Sequence, residues 1–236
     1  MSGPAQPCPF GLCDGTGFLV DETTRVAQPC RCRPQRIERR RARSLSAVIP
    51  ARYRNIGFDR PPVTEMPAPQ VQAVRRFVRD IDSNLDAGRG LWFEGTVGTG
   101  KTTLAMLVSR AALDAGRSVA IYSLPRLLAE IRATFEDGAE GSYVGFLDRL
   151  ALVDLLHVDD VGTEKTSAWV LEQLYAIVNA RYEEQRSIVL TTNLDREALA
   201  EQINPRTVSR LEEMCEELPL FGSDHRKYVE PDLRTA

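Results

Sequence analysis

The chain has 236 residues, 43% hydrophobic and 27% charged, which is enough for one full-sized domain plus a smaller appendage and too apolar for wholesale disorder. No apolar run approaches the roughly 18 residues that a membrane span requires, and the opening MSGPAQPC has neither the basic nor the apolar region of a signal peptide, so a cytoplasmic protein without membrane contact is expected. The formal charge of -3 hides a strong asymmetry: residues 31–54 carry nine arginines against the single acid Glu38, a local balance of +8, which points that end of the chain at something anionic.

Four of the five cysteines fall in the first 32 residues, as Cys8-x4-Cys13 and Cys30-x-Cys32 with 16 residues between the pairs. Thiols so grouped in a reducing cell indicate a metal and not disulfides. The layout is that of a ribbon-like Zn²⁺ site with Gly15 and Gly17 to turn a knuckle, although its pair spacings are looser and tighter than the common C-x2-C. The metal ligands expected are Cys8, Cys13, Cys30 and Cys32. The run RPQRIERRRAR (33–43) follows, with Ile37 as its one large apolar residue. Three uses stay open for it: tracking a nucleic-acid backbone, docking as a basic helix on an acidic protein surface, or serving as a solvated linker.

Composition shifts again where the arginine run ends near Arg54 and Pro61, Pro62, Pro67 and Pro69 interrupt FDRPPVTEMPAP (58–69). The expected organisation is a zinc-binding, Arg-rich N-terminal domain over 1–54, a Pro-rich linker over 55–69 and a main domain over 70–236. Val71, Val74, Phe77, Val78, Ile81 and Leu85 are spaced for one apolar helix face, ended by Gly88 and Gly90. Strands and helices then alternate. The predicted strands are 90–95, 118–123, 155–160, 187–192 and 218–222, and the predicted helices lie near 101–115, 125–137, 143–153, 167–185, 195–203 and 205–215. The pattern predicts an α/β fold, a parallel five-stranded sheet flanked by helices, with a small N-terminal zinc-ribbon-like domain.

GTVGTGKT (95–102) matches the phosphate-binding loop and sits between a buried-looking strand and an amphipathic helix, where such a loop belongs. Backbone amides converge on a phosphate only if the chain bends tightly, hence the glycines. The nucleotide-binding set is Gly95, Thr96, Val97, Gly98, Thr99, Gly100, Lys101, Thr102 and the following Thr103. Lys101 reaches toward the β and γ phosphates, the Thr102 hydroxyl ligates Mg²⁺, and the helix N-terminus adds its field.

LLHVDDVG (155–162) brings two carboxylates to the carboxyl end of a strand, the edge where open α/β sheets bind ligands. Asp159 is the Mg²⁺ ligand expected, usually through water. Asp160 either activates the attacking water or merely caps the turn. Many ATPases place glutamate there, and the shorter aspartate suggests slow turnover. Asn193, closing TTN (191–193), either senses the γ phosphate or begins a turn. RTVSRL places Arg206 and Arg210 one turn apart, either to reach a neighbouring subunit's nucleotide or to pair with Glu212 or Glu213; Arg226 follows the last strand.

GTVGTGKT, LLHVDDVGTEKTSAW, RYEEQRSIVLTTNL and NPRTVSRLEEMCEELPLFGSDHR together resemble the AAA+ ATPases of the DnaC/DnaI replicative helicase-loader group, whose near relatives are the IstB-type transposition helpers. The resemblance covers most of 50–230, and the paired Asp159 and Asp160 followed by Gly162 and Glu164 are typical of that subgroup. It implies a P-loop AAA+ domain and slow Mg²⁺-dependent ATPase activity stimulated by DNA or a partner. It further implies a homo-oligomer with ATP at its subunit interfaces, with Arg210 as the arginine finger, Arg206 as the alternative and Arg226 as a sensor-II arginine. Residues 125–154 fall where these loaders carry extra helices that contact single-stranded DNA. Loaders often carry a zinc-binding N-terminal domain that contacts the helicase, so the resemblance implies loading of a DnaB-type helicase onto single-stranded DNA at replication initiation. The alternatives are an IstB-like transposition helper that binds duplex DNA, and a zinc-bearing adaptor that binds nucleotide without hydrolysing it.

Overall fold

The computed structural model describes residues 8–21, 26–33, 45, 48–136, 140–162, 167–222 and 224. Arg226, Glu164 and the arm over 34–44 lie outside the described residues.

The main sheet contains β3 (Gly90–Glu94), β4 (Val119–Ser123), β5 (Leu155–Val161), β6 (Ser187–Thr192) and β7 (Cys215–Pro219) in the order β4-β5-β6-β3-β7, and every pairing is parallel. Strand alternation sends successive side chains to opposite faces. Leu91, Phe93, Val119, Ile121, Leu155 and Val189 form one apolar layer with α1 (Ala68–Arg79), α2 (Ile81–Asp86) and α3 (Lys101–Asp114). Trp92, Ala120, Tyr122, Leu156, Val158, Ile188 and Leu190 form the other, with α4 (Leu124–Glu136), α5 (Glu140–Leu152), α6 (Ala168–Glu183), α7 (Arg196–Ile203) and α8 (Pro205–Met214). A parallel sheet so covered buries both faces, which is why its inner strands read as apolar runs. Among the described residues no helix is long and apolar enough to cross a membrane.

The structure departs from the sequence reading in three places. The helix expected as one piece from Val71 to Leu85 is two helices that share an apolar face and break at Asp80, whose ψ is 32°. The break is stabilised locally: the buried Asn84 side chain donates to Phe77 O at 3.0 Å, and Ser83 Oγ donates to Asp80 O at 2.9 Å. Gly90 does not end that helix but starts β3, and glycine is required there because any Cβ would run into the Ile188 carbonyl oxygen of the neighbouring strand. The last strand is Cys215–Pro219, three residues earlier than the expected 218–222. An edge strand needs no apolar run: Cys215 and Leu218 are buried, Glu216 and Glu217 are exposed, and Leu220 packs beyond the strand with its amide on Glu94 O at 2.7 Å.

Arg181 fixes the lower end of the strands that carry the site. It is fully buried, and its guanidinium donates to Leu150 O at 2.6 Å, Val153 O at 2.9 Å and Ser187 O, binding the end of α5 to the starts of β5 and β6. Burial is the main reason its pKa falls to about 9, with Arg186 adding to the effect. The proline-rich stretch lies against α3 and its neighbours. Val63 and Met66 are buried, Ile56 and Phe58 pack on the same layer, and Arg110 donates to Arg54 O at 3.1 Å and to Ile56 O at 2.6 Å.

Candidate functional site

The phosphate-loop residues lie between β3 and α3, and their conformation explains the glycines. Gly95 has φ 134° and passes so close to the Leu220 carbonyl that a side chain has no room; Gly100 has φ 95° and lies under the Met66 thioether. Thr99 is buried, with its hydroxyl donating to Thr96 O at 2.9 Å, while Val97 at the loop tip is exposed. Lys101 is buried, and its Nζ donates to Gly95 O at 2.7 Å and Thr96 O at 2.8 Å. The loop thus wraps the ammonium. Thr102 and Thr103 are half-buried in the first turn of α3.

Across from the loop, β5 delivers Asp159 and Asp160. Asp159 Oδ1 accepts from the Thr102 hydroxyl at 2.9 Å and from the Thr191 hydroxyl at 2.7 Å. The Thr191 oxygen in turn accepts from the Asp160 amide at 2.9 Å, so one buried threonine ties both aspartates to β6. Burial acts to raise the Asp159 pKa, but His157, Thr191 and Thr102 outweigh it and hold the carboxyl below its ordinary value. Asp159 is therefore a charged, half-enclosed carboxylate touching the hydroxyl of the phosphate-loop threonine, the donor pair that a Mg²⁺ ion takes in P-loop proteins.

Asp160 stands apart in conformation. Its φ is 58°, left-handed for a residue with a Cβ, and the β5–β6 register shifts between Val158 and Val161. The bulge takes Asp160 out of the strand alternation and leaves it exposed while Val161 is buried. Strain of this kind clusters at functional sites.

Asn193 directly follows β6, half-buried, on the same sheet edge. The arginines of α8 differ from each other. Arg206 is exposed in the first turn, whereas Arg210 is half-buried with its guanidinium 4.7 Å from the Tyr175 ring centroid and 5.7 Å from that of Tyr182. The glutamates considered as partners are bound elsewhere, Glu212 to Arg196 and Glu213 to the Tyr182 hydroxyl at 2.7 Å. Asp224 packs its carboxylate against Gly98, which brings the segment after β7 onto the phosphate loop.

The cysteine cluster lies on a two-stranded hairpin apart from the main sheet. β1 (Phe18–Val20) and β2 (Ala27–Pro29) pair antiparallel, and tight turns at each end bring the thiols in: Gly11 N bonds Cys8 O at 2.9 Å and Arg33 N bonds Cys30 O at 2.9 Å. The Sγ atoms of Cys8, Cys13, Cys30 and Cys32 all lie within 4.8 Å of one another, with Cys8 to Cys30 at 3.9 Å and Cys13 to Cys32 at 3.6 Å. A tetrahedron of thiolates around zinc has sulfurs about 3.8 Å apart, so the donor set fits that ion. Burial acts to raise the Cys8 thiol, but backbone hydrogen bonds with Cys13, Leu12 and Phe10 outweigh it and hold it at about 6; desolvation and the three neighbouring thiols push Cys32 up to about 12. Arg31 and Arg33 lie over the Phe10 and Phe18 rings at 5.8 Å and 4.1 Å.

Residues 64–214 match the profile of the IstB-like ATP binding protein family over more than half of the chain. The chain belongs to that family. Among curated relatives of this IstB-like protein, the replicative helicase loader DnaC of Escherichia coli (strain K12) is 28% identical over 137 residues, covering 58% of this chain and 54% of DnaC. The uncharacterized protein YdaV of the same organism is 31% identical over 119 residues, covering 50% of this chain and 47% of YdaV. The matches therefore span about half the length of those relatives. A crystal structure of the DnaC helicase loader superposes with a TM-score of 0.62 at 27% identity, covering 73% of this chain and 100% of that one. The resemblance to the loader group and the five-stranded parallel α/β fold drawn from the sequence are both borne out.

Sequence reasoning singled out residues 95–102 and both aspartates but assigned no role to Thr191 or to the buried His157 behind Asp159. Thr191 was visible at the start of TTN, in a strand paired with the Asp-bearing one.

Proposed function

We propose that this IstB-like protein is a slow Mg²⁺-dependent ATPase that loads a DnaB-type replicative helicase onto single-stranded DNA, working in the cytoplasm as a homo-oligomer with ATP at its subunit interfaces. The observation that carries the reading is the convergence of Lys101, Thr102 and Asp159 at one sheet edge, with Thr191 linking Asp159 to Asp160. The name replicative helicase loader belongs to DnaC, and the family match and the superposition support its extension to this chain.

In this reading the loop amides and Lys101 hold the phosphates, and Lys101 exchanges its two carbonyl partners for phosphate oxygens. Thr102 and Asp159 would hold Mg²⁺, which neutralises phosphate charge. Asp160 orients and deprotonates the attacking water, and Asn193 reports the γ phosphate. Asp160→Asn is therefore expected to bind ATP about as tightly as wild type while hydrolysis falls by about a hundredfold or more. Single-turnover hydrolysis beside a fluorescent-nucleotide titration measures this, and full activity would remove Asp160 from the chemistry.

The charge that develops on the phosphates is met by an arginine from a neighbouring subunit, drawn from α8. Arg210 holds the family position, and Arg206 is the exposed alternative. Neither Lys101→Ala nor Arg210→Ala protein is expected to hydrolyse ATP alone, whereas a mixture regains activity through interfaces that pair an intact loop with an intact arginine. Parallel mixtures with Arg206→Ala identify the finger, and absence of rescue at every ratio with both variants excludes an arginine acting in trans from α8. Arg226, two positions after Asp224 in the sequence, is proposed as the sensor-II arginine.

Single-stranded DNA would meet α4 and α5, where Phe135 and Val144 are exposed, the Phe135 and Tyr143 ring centroids lie 4.6 Å apart with the rings tilted by 30°, and Arg132 lies 4.7 Å over Trp169. The family name also points to IstB-type helpers, so strand preference is the deciding measurement: tighter binding of duplex than of single strands would replace the loader reading with the transposition one. Zinc on Cys8, Cys13, Cys30 and Cys32 would fix where the arginine arm leaves the hairpin, and the arm docks on the helicase with some contact to DNA.

A further inference from the structure

Behind Asp159 lies a buried polar pair that the nucleotide reading leaves without a task. Ser109 on α3 and His157 on β5 are both fully buried, with Ser109 Oγ 2.9 Å from His157 Nδ1. The other ring nitrogen, Nε2, is sealed from water and has no hydrogen-bond partner among the described residues, and it faces Asp159 Oδ1 at 3.9 Å. Strand alternation is the cause, since residues 157 and 159 lie on the same face of β5, toward α3.

A neutral imidazole carries its hydrogen on one nitrogen only. With the hydrogen on Nδ1, a bare Nε2 lone pair, itself out of reach of water, would face a carboxylate, and the two would repel. With the hydrogen on Nε2, the Ser109 hydroxyl donates to Nδ1 and the N–H points at Oδ1. Of the two neutral tautomers, hydrogen-bond chemistry therefore selects the second, and an imidazolium would present the same Nε2 hydrogen to Oδ1. Three donors then surround Oδ1, and they differ in stiffness. Thr102 and Thr191 offer hydroxyls that rotate, and Thr102 is itself drawn away when a cation takes its oxygen. His157 is locked by Ser109 and by the packed layer around it. The 3.9 Å gap exceeds a hydrogen bond by about 1 Å, a distance that a small carboxylate movement closes.

We propose that His157, held by Ser109, is a positioning residue that backs the Asp159 carboxylate and sets its orientation toward the divalent cation accompanying the nucleotide. The inference rests on the reading of Asp159 as a cation ligand. Groups that orient a ligating side chain govern cation affinity more than nucleotide affinity, and their loss typically weakens metal binding by about 10- to 100-fold.

The test is the Mg²⁺ dependence of fluorescent-ADP binding to the full chain, with thermal melting as a check on folding. His157→Leu, which keeps the volume and removes the donor, is expected to raise the half-saturating Mg²⁺ concentration by about tenfold while leaving Mg²⁺-free ADP affinity unchanged. His157→Gln, whose side-chain amide places an N–H near the Nε2 position, stays within about threefold of wild type. A packing role would change the melting temperature and leave the Mg²⁺ midpoint alone. A folded His157→Leu with the wild-type midpoint overturns the proposal, and so does a His157→Gln as defective as the leucine variant. If His157→Leu does not fold, the near-isosteric Ser109→Ala carries the test through loosening of the ring, with an expected shift of about threefold; an unshifted midpoint there is equally fatal. Asp159→Asn is measured alongside. If it keeps the wild-type Mg²⁺ dependence, the cation reading of Asp159 falls; if it loses that dependence while His157→Leu keeps it, only the role of His157 falls.

Discussion

Lys101→Ala is expected to weaken ATP binding by about a hundredfold or more, equivalent to about 2.7 kcal/mol, and to abolish hydrolysis while leaving the fold intact. The magnitude follows from the contacts exchanged. Without nucleotide, the ammonium is buried and satisfied by two carbonyls of its own loop, Gly95 O and Thr96 O. With nucleotide, the same nitrogen meets anionic oxygens, and each charge-assisted hydrogen bond contributes about 1.5–3 kcal/mol. The alanine variant loses those contacts and leaves two loop carbonyls without their donor, so it also loses the loop's resting conformation. The fold has independent support, because the two apolar layers that hold β3 and α3 do not depend on the lysine head group. Titration with a fluorescent ATP analogue and a thermal melt in parallel measure both halves. Normal hydrolysis by a folded Lys101→Ala protein would remove residues 95–102 from the nucleotide site.

The contrast between what was legible and what was not has a physical basis. A phosphate loop is a local object: its amides converge only if glycines stand at particular positions, so Gly95, Gly98 and Gly100 announce it within eight residues. The inner strands were legible because burial on both faces forces apolar runs. β7 was misplaced because an edge strand is released from that requirement, and CEELP carries two exposed glutamates where a central strand would carry apolar residues. The kink at Asp80 depends on Asn84 reaching Phe77 O, a side-chain choice that periodicity does not encode. Met66 lies over Gly100 from a stretch whose prolines give no hint of burial. Thr191 and His157 act through hydrogen bonds to residues 32 or 48 positions away in sequence, which exist only once strand and helix registers are set.

Removal of zinc, by chelation or by Cys30→Ser, is expected to unfold the hairpin unit and abolish helicase recruitment while ATP binding stays within about twofold of wild type. The hairpin has only three residues in each strand, and Leu19, Val20 and Val26 are exposed, so its own core is too small to hold it. Structural zinc in comparable peptides contributes about 10–16 kcal/mol, which makes folding and metal binding one event. The nucleotide site belongs to the other part of the chain, with its own layers and its own hydrogen bonds, which is why ATP binding should be indifferent to the loss. The structure also says where to cut. Leu45 is buried in one apolar layer, Ile49 and Tyr53 pack on the other, and Arg110 binds Arg54 O, so deletion of residues 1–44 removes the cysteine unit and the arm without stripping the core. Such a truncation should bind ATP, carry no zinc and fail to capture the helicase. Arg39, Arg40 and Arg41 changed together to Glu should weaken capture in the full chain, and the wild-type interaction should weaken with added salt, as charge docking requires. Metal content by mass spectrometry and a pull-down with the helicase from the same source give the answer. A truncated protein that still recruits and loads the helicase would make the arm a linker and move the docking surface onto the remainder of the chain.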